Sequence, residues 1–241
     1  MIGNKSIIGI IPARAGSKGL IDKNIRYLMG KPLIAWSIEV GLLSKYIDEL
    51  VVSTDSSDIA KISEEIGATV PFLRPLDLAS DDASTIAVIE HALNYFRTVL
   101  DKQFDYCVIL EPTSPLRDVD DIDKAIEQLI DTPAAKSLVG ISKSGVQNPA
   151  FQVRINSKSF LLMNPAFGSE VKRRQDVEDS YFFEGSVYIS DTQTLLEKKS
   201  FYHERTIGKI FPKWKSFEVD DIDDLIIIEA LMKHRMVADG L

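Results

Sequence analysis

Short apolar runs alternate with longer segments whose apolar residues recur at helical spacing in roughly the first three-fifths of the chain. The strand-like runs are Ile7–Ile11, Leu50–Ser53, Tyr106–Leu110 and Ser137–Ile141, and the helical segments lie at about 32–44, 57–66, 84–99 and 119–130. This alternation predicts βαβ crossovers. We therefore expect an α/β fold, in which a Rossmann-like, mostly parallel sheet is flanked by helices.

The pattern changes beyond about residue 147. Short β-rich runs, Phe151–Ile155 and Phe160–Met163, alternate there with turn residues and lead into the basic stretch Lys172–Arg174. The chain then returns to the main sheet at Ser186–Ser190, and a last apolar-faced helix covers about 221–236. We expect a single domain over residues 1–241 with a small β-rich arm inserted at about 147–182.

The bulk composition narrows the classes of partner. The 241 residues carry a formal net charge of −8, which disfavours nonspecific binding of nucleic acid. The sequence has neither a run of about 18 apolar residues nor a secretory leader, so we expect a cytoplasmic protein with no membrane partner.

A basic loop follows the first predicted strand. Arg14, Lys18 and Lys23 lie there with two glycines, Gly16 and Gly19, between a buried strand and the next helix. The order of residues fits neither the P-loop motif nor the dinucleotide-binding fingerprint. The alternative is a solvated basic turn. We favour a site for a triphosphate, because cations confined at the carboxyl end of a parallel strand suit one.

An acidic counterpart lies near the end of the chain. Residues two apart on an extended segment point to the same side, so Glu218 and Asp220 present two carboxylates together. Mg²⁺ normally takes one or two such carboxylates and completes its shell with water and phosphate oxygens. The alternative is that these acids cap the following helix, and this alternative is strongest for Asp221–Asp224.

Ile11-Pro-Ala-Arg-Ala-Gly-Ser-Lys-Gly19 followed by Lys23-Asn24 resembles the opening of the acylneuraminate cytidylyltransferases, which include the CMP-sialic acid synthetases and bacterial CMP-nonulosonate synthetases. The resemblance continues in the family's order over nearly the whole chain. Its further landmarks are Gly30–Ile34, Val52–Asp55, Leu73–Pro75, Ala79–Asp81, Pro112–Arg117, Gly185–Ile189 and Glu218–Asp220.

The resemblance implies roles for individual residues. It implies that Arg14, Lys23 and Asp220 are catalytic. It implies that CTP is bound by Arg14, Ser17, Lys18, Lys23, Asn24, Arg74, Asp81 and Thr85, that the sugar is bound by Glu111, Arg174, Gln175, Tyr181 and Phe182, and that Mg²⁺ is bound by Asp220 and Glu218. For Asp81 an N-cap role in the helix near residue 84 is an equal alternative, and for the aromatic residues core packing is one.

The chain departs from the family pattern at two of these positions. Glu111 stands where the family commonly has Gln, and Glu218 is the first acid of a pair that is usually Asp-x-Asp. A carboxylate at position 111 disfavours a sugar carboxylate next to it, so we expect Glu111 to contact hydroxyls or an altered substituent.

The resemblance implies a Mg²⁺-dependent nucleotidyltransferase that joins CTP to a nine-carbon α-keto sugar acid and releases pyrophosphate. It also implies a homodimer in which the β-rich arm reaches the neighbouring subunit. Two alternatives remain at this point: a cytidylyltransferase for the eight-carbon acid KDO, and a nucleotide-sugar-binding module without catalysis.

Overall fold

A computed structural model describes residues 2–16, 19–80, 82–145, 148–163 and 173–238, apart from the side chains of residues 174, 237 and 238. In these ranges the strands are β1 Ile7–Pro12, β2 Tyr27–Leu28, β3 Lys31–Pro32, β4 Glu49–Ser53, β5 Tyr106–Ile109, β6 Ser137–Lys143, β7 Val153–Ile155, β8 Leu161–Met163, β9 Tyr181–Asp191 and β10 Thr206–Phe211. The α-helices are α1 Leu33–Leu43, α2 Ser57–Ile66, α3 Thr85–Val99, α4 Val119–Ile130, α5 Thr192–Lys198 and α6 Ile222–Ala238.

Six strands form the central sheet, in the order β10-β6-β9-β5-β1-β4. Strand β1 pairs in parallel with β4 on one side and with β5 on the other. Strand β9 runs antiparallel to both β5 and β6, whereas β10 pairs in parallel with β6. The predicted α/β fold with a mostly parallel sheet is confirmed.

Apolar side chains fill both faces of the sheet. One core cluster includes Ile7, Ile11 and Val52 with residues of α1, α2 and α4. The second includes Ile8 and Ile10 with Ile89 and Phe96 of α3. Because β1 is buried on both faces, its sequence is a continuous apolar run instead of an alternating one.

Local capping signals fix where several helices begin. Ser56 accepts a hydrogen bond from the Ile59 N–H at the start of α2, and Asp118 forms a capping box with Asp121 at the start of α4. Ser84 is the N-cap of α3, where its side chain accepts the Ala87 N–H. Ser84 therefore occupies the N-cap position that the alternative reading gave to Asp81, and Asp81 itself lies outside the described residues.

The segment from 147 to 182 contains an antiparallel pair, β7 with β8, that stands apart from the central sheet. Strand β9 already joins the central sheet at Tyr181, which pairs with Lys143. The return to the sheet therefore begins five residues before the predicted Ser186, because Tyr181 to Phe183 extend the β6 ladder past a register shift. Within the described residues, no helix combines the length and the apolar character needed to cross a membrane.

Candidate active site

The order of the strands sets the position of the candidate site. Within the sheet, β4 lies next to β1 on one edge of that strand, and β5, which comes later in the chain, lies next to β1 on the other edge. The loops that follow β1 and β5 therefore diverge at the carboxyl ends of these strands and leave a crevice. Open α/β sheets bind ligands in such a crevice. Arg14 lies in the first of these loops and Glu111 in the second.

Hydrogen bonds hold the loop after β1. The Ala15 N–H donates to Asp55 Oδ1 at 3.0 Å, and the Asn24 side-chain amide donates to the Arg14 carbonyl at 2.9 Å. Asn24 is buried, and Lys23 begins a short 3₁₀ helix, Lys23–Ile25, after Asp22 in the left-handed region. Both contacts hold the peptide group that joins Arg14 to Ala15.

The segment that carries the two acids packs against this loop. Lys23 Nζ donates to the Val219 carbonyl at 2.8 Å and lies 3.1 Å from Asp220 Oδ1. The Val219 N–H donates to the Thr113 carbonyl at 2.8 Å, which fixes the same segment to the turn after β5. The basic loop, the acidic segment and the turn after β5 therefore meet at one place.

One cavity of about 390 Å³ lies at this meeting point, and Arg14, Lys23, Asn24, Thr113 and Asp220 are among its lining residues. It holds two of the predicted phosphate ligands and one of the predicted metal ligands. Ser17 and Lys18, also predicted here, lie outside the described residues.

A second cavity of about 220 Å³ adjoins the first, since Arg14 and Glu111 line both. Arg74 and Thr85 line it as well, whereas Asp81, predicted beside them, lies outside the described residues. Arg74 is 5% exposed, and its Nε and Nη2 make no hydrogen bond with the part of the chain that the structure describes. Two nitrogens of the Arg74 guanidinium thus lack a hydrogen-bond acceptor among the described residues, beside a cavity that Arg74 lines.

A nearby acid and a nearby cation shift the pKa of Arg74 in opposite directions. Its Nη2 lies 3.8 Å from Asp55 Oδ1, the same carboxylate oxygen that accepts the Ala15 N–H. Burial lowers the pKa of Arg74, the Asp55 carboxylate raises it, and the positive charge of Arg14 lowers it. A bound anion would relieve the repulsion between the two guanidinium groups.

A third cavity, of about 320 Å³, opens on the other side of Glu111. Aromatic side chains form much of its wall, and Glu111 and Lys199 are its charged residues. The lining includes Thr85, Glu111, Tyr188, Lys199, Phe201 and Tyr202. Glu111 thus lines all three cavities and Thr85 lines two of them.

Three acids lie in or near the region where Glu111 lines the three cavities: Glu184 is buried, and Glu111 and Glu218 are half-buried. Burial, followed by the charge of Glu218, raises the pKa of Glu111 to about 7. Burial also raises the pKa of Glu184 to about 7 and that of Glu218 above its ordinary value. Arg117 is the buried cation nearby. It donates to the Ser186 carbonyl at 2.6 Å and to the Glu111 carbonyl at 3.3 Å.

The two predicted metal ligands have different surroundings. Glu218 Oε1 accepts the Gly185 N–H at 2.6 Å, so one of its oxygens is committed to the protein. The Asp220 side chain is 80% exposed. No group of three or more His, Cys, Asp or Glu residues could by itself hold a metal within the described ranges. The available donor set is therefore one or two carboxylates, which suits Mg²⁺ only together with phosphate oxygens.

The acids after Asp220 have a structural role. Asp221 accepts the N–H groups of Asp223 and Asp224, and Asp224 in turn accepts the Asp221 N–H. These reciprocal bonds cap α6, as the capping alternative predicted.

The structure does not bring every predicted sugar ligand to these cavities. Gln175 lines a separate cavity with Asn148 and Glu178, and the Arg174 side chain lies outside the described residues. Tyr181 and Phe182 pair with β6 and line none of the three cavities.

Sequence reasoning missed several lining residues. The sequence pattern points to Tyr188 only as part of the landmark Gly185–Ile189, and it does not single out Lys199, Phe201 or Tyr202. The available signal was the adjacent aromatic pair Phe201-Tyr202 directly after a helix with a basic end. The rings of two β9 residues pack on this pair. Phe183 packs on Tyr202 with 4.5 Å between the ring centroids, and Tyr188 packs on Phe201 with 5.5 Å.

The sequence profile of the family described as Cytidylyltransferase matches residues 8–238. The chain belongs to the cytidylyltransferase family. This match confirms the resemblance found in the sequence and makes the chain a member of a family of nucleotidyltransferase enzymes.

Individual members of the family cover most of the chain. A CMP-N,N′-diacetyllegionaminic acid synthase of Legionella pneumophila is 37% identical over 228 residues, which is 94% of this chain and 96% of the relative. An N-acylneuraminate cytidylyltransferase of Escherichia coli is 34% identical over 97% of this chain, which corresponds to 54% of the relative. A pseudaminic acid cytidylyltransferase of Campylobacter jejuni is 30% identical over 93% of this chain and 95% of its own.

Among solved structures, a CMP:2-keto-3-deoxy-manno-octonic acid synthetase in complex with CTP aligns with a TM-score of 0.69 at 18% identity. The alignment covers 95% of this chain and 99% of the other. At this identity the similarity supports the cytidylyltransferase fold.

Proposed function

We propose that this cytidylyltransferase transfers the cytidylyl group of CTP to a nine-carbon α-keto sugar acid of the nonulosonic class and releases pyrophosphate. The relatives named above act on three acids of this class according to their names. One observation carries the proposal: Arg14, Lys23 and Asp220, from opposite ends of the chain, line one cavity. Glu111 lines this cavity and both of the other two.

The three cavities suit the three parts of such a reaction. The cavity of about 220 Å³ next to the buried Arg74 would receive the nucleoside, since a guanidinium fork makes paired hydrogen bonds to a base or ribose. Arg14 and Lys23 would hold the triphosphate in the cavity of about 390 Å³. The cavity of about 320 Å³ would receive the sugar acid, with its aromatic wall against apolar substituents.

In the proposed reaction the oxygen of the anomeric hydroxyl attacks the α-phosphorus and loses its proton to solvent water. The bond from the α-phosphorus to the bridging oxygen of pyrophosphate breaks, and the leaving group takes that electron pair. Arg14 and Lys23 would neutralise the charge that develops on the phosphoryl oxygens and on pyrophosphate, and such preorganised charge is commonly the largest catalytic term. Glu111, at the junction, would orient the attacking hydroxyl.

The residues present fit a magnesium ion. Asp220 offers an exposed carboxylate in the phosphate cavity, and Glu218 keeps its Oε2, which accepts no backbone N–H of the described residues. Mg²⁺ bound there would neutralise phosphate charge and favour ionisation of the acceptor hydroxyl. Lys23, which pairs with Asp220 in the structure, would then turn towards the phosphates.

We also propose a homodimer formed through the arm. Support comes from exposed apolar side chains on and beside β7 and β8, namely Val153, Ile155, Phe160, Leu161 and Leu162. Several exposed apolar side chains on one small element are typical of an interface. Light scattering of the protein and of an Ile155→Lys, Leu161→Lys double variant tests this proposal, which requires a dimer that dissociates in the variant.

The activity is tested by measuring pyrophosphate release from CTP with a panel of acids. The panel contains N-acetylneuraminic, N,N′-diacetyllegionaminic and pseudaminic acids, KDN and the eight-carbon acid KDO. We expect turnover with at least one nine-carbon acid. Turnover with KDO alone would show that the acceptor is the eight-carbon acid instead of a nine-carbon one. Binding of CTP without turnover of any acid would contradict catalysis.

A further inference from the structure

Asp55 comes two residues after the end of β4, at the edge of the sheet where the candidate site lies. Strands β4 and β1 are parallel neighbours, and Pro12 pairs with Ser53 at their ends. The loops that follow these two strands therefore leave the sheet side by side. Asp55 belongs to the landmark Val52–Asp55, for which the sequence indicated no role.

An acid directly before a helix commonly caps that helix. The cap of α2 is made by Ser56 instead, since the Ser56 side chain accepts the Ile59 N–H and the Ser56 N–H donates to Thr54 Oγ1. The Asp55 side chain is 13% exposed, and its Oδ1 accepts the Ala15 N–H of the neighbouring loop at 3.0 Å. The recorded contacts of Asp55 thus lie towards the candidate site.

The bond to Ala15 acts on Arg14. The peptide group between these two residues is held from both sides. Asp55 accepts its N–H, and the Asn24 side-chain amide donates to its carbonyl at 2.9 Å. Because a peptide group is planar, two such bonds fix its orientation and the point from which the Arg14 side chain leaves the backbone. Arg14 lines the cavities of about 390 and about 220 Å³, so its placement matters in both.

The same carboxylate oxygen faces Arg74. Asp55 Oδ1 lies 3.8 Å from Arg74 Nη2, and the Arg74 N–H donates to the Thr54 carbonyl at 2.7 Å. Two consecutive residues after β4 therefore hold Arg74, one at its backbone and one at its guanidinium group. A buried guanidinium needs an opposite charge nearby. At 3.8 Å Asp55 supplies that charge without a short hydrogen bond to Nη2.

We propose that Asp55 is a positioning residue that sets the placement of Arg14 relative to Arg74, so that the triphosphate and the nucleoside of one CTP molecule fit their cavities together. The inference rests on the proposed function. Asp55 lines none of the three cavities, so it acts through the two arginines. A ligand with two linked parts binds tightly only where both parts can be engaged at once. Loss of Asp55 should therefore weaken intact CTP more than either half of it.

The experiment uses the full chain, Mg²⁺, CTP and the acid of the panel that the wild-type protein turns over best. Asp55→Ala removes both contacts and should lower kcat/KM for CTP by roughly 10- to 100-fold, the effect of a misplacement of about 1 Å. Asp55→Asn keeps an oxygen for the Ala15 N–H and loses the charge beside Arg74, so KM for CTP should rise about threefold to tenfold. Asp58→Asn, exposed in the first turn of α2, is the matched control and should keep wild-type kinetics.

A purely electrostatic role predicts the opposite sign. Asp55 is negative and lies near a site for a polyanion, so removal of its charge would by itself strengthen the binding of CTP and lower KM. Positioning requires KM for CTP to rise in Asp55→Asn. Isothermal titration calorimetry of CTP with the wild-type and variant proteins repeats the comparison without turnover.

Two fragments of CTP separate positioning from a merely structural role. Cytidine and inorganic tripolyphosphate are compared as inhibitors of the wild-type and Asp55→Ala proteins. Each inhibition constant should change by no more than about threefold, while the affinity for intact CTP falls by about tenfold or more. A loosened or partly unfolded site would weaken the fragments as much as CTP, and thermal melting checks the fold.

The inference is overturned if Asp55→Ala keeps wild-type kinetics for CTP, if Asp55→Asn lowers KM for CTP, or if either fragment loses as much affinity as CTP. Should Asp55→Ala fail to fold, the direction in which Asp55→Asn shifts KM for CTP decides the matter. A wild-type protein that binds CTP and turns over no acid contradicts the proposed function instead, and calorimetry then still decides the role of Asp55.

Discussion

Lys23 and Asp220 are separated by almost the whole chain, yet Lys23 Nζ lies 3.1 Å from Asp220 Oδ1. The same ammonium donates to the Val219 carbonyl at 2.8 Å. The Lys23 side chain is 14% exposed, whereas the Asp220 side chain is 80% exposed. The contact therefore fixes the backbone of the acidic segment through a partly buried lysine, and the Asp220 carboxylate faces the cavity.

Replacement of the charged groups in this cavity should abolish turnover without unfolding the protein. We expect Asp220→Asn and Arg14→Ala to lower kcat by about 10²-fold or more, because each removes charge that acts on the transferring phosphoryl group. Pyrophosphate release measures the effect, and circular dichroism checks the fold. Asp223→Asn, an exposed residue in the first turn of α6, is the control that should keep wild-type turnover. Wild-type turnover in either site variant would remove its assigned role.

Replacement by alanine should impair the enzyme at one glycine of the basic loop and leave it unchanged at another. A β-carbon at Gly19 would lie 2.4 Å from the Asp220 carbonyl oxygen, so the loop and the acidic segment must move apart. At Gly16 a β-carbon would meet no atom within 4 Å. We expect Gly19→Ala to lower kcat/KM for CTP by roughly 10- to 100-fold, since misplacement of about 1 Å has effects of this size. Gly16→Ala should stay near wild type. Equal steady-state kinetics for the two variants would contradict the close approach.

Lys215 should make a large contribution to stability. It is 5% exposed and pairs with both Asp118 and Asp121, the two residues of the capping box of α4. We expect Lys215→Met to lower the free energy of unfolding by about 3 kcal/mol, because two carboxylates lose their common partner. Urea denaturation gives this value. Lys213→Met, two residues earlier and exposed, is the matched control and should change it by no more than about 0.5 kcal/mol.

Glu184 should make stability fall as the pH rises. Burial raises its pKa from 4.5 to about 7, so the folded state keeps a proton that the unfolded state loses first. The destabilisation is absent below pH 4.5, grows between pH 4.5 and 7, and then stays constant at on the order of 3 kcal/mol. Its Oε1 has no hydrogen-bond partner among the described residues.

The measurement is the melting temperature between pH 5 and pH 8. Between these two pH values the melting temperature of Glu184→Gln should fall less than that of the wild-type protein, by roughly 5 °C or more. Glu197→Gln, at an exposed position of α5, should keep the wild-type slope. An unchanged slope in Glu184→Gln would mean that this carboxyl is ionised in the folded state throughout the range.

The sequence alone predicted the main α-helices and parallel strands closely. The α2 and α4 bounds agree with the predicted 57–66 and 119–130, and the side chains of Ser56 and Asp118 cap these helices. These features depend on hydrophobic periodicity and on hydrogen bonds between residues three apart, and both can be read from a short stretch of chain. The pairing of a basic loop with an acidic segment was also predictable, because each group is required chemically by a triphosphate.

Only the tertiary structure decided which residues line the third cavity, the one of about 320 Å³. Strand β9 enters between β5 and β6 in the reverse direction, and α5 and the residues after it then place Lys199 and Tyr202 at the third cavity. The ion pair of Lys199 with Glu90 joins residues 109 apart in the chain. No local pattern encodes such a contact, because it depends on strand order, register and helix packing together. The chain thus specifies its elements and phosphate chemistry locally, while the surroundings of the acceptor depend on the complete sheet.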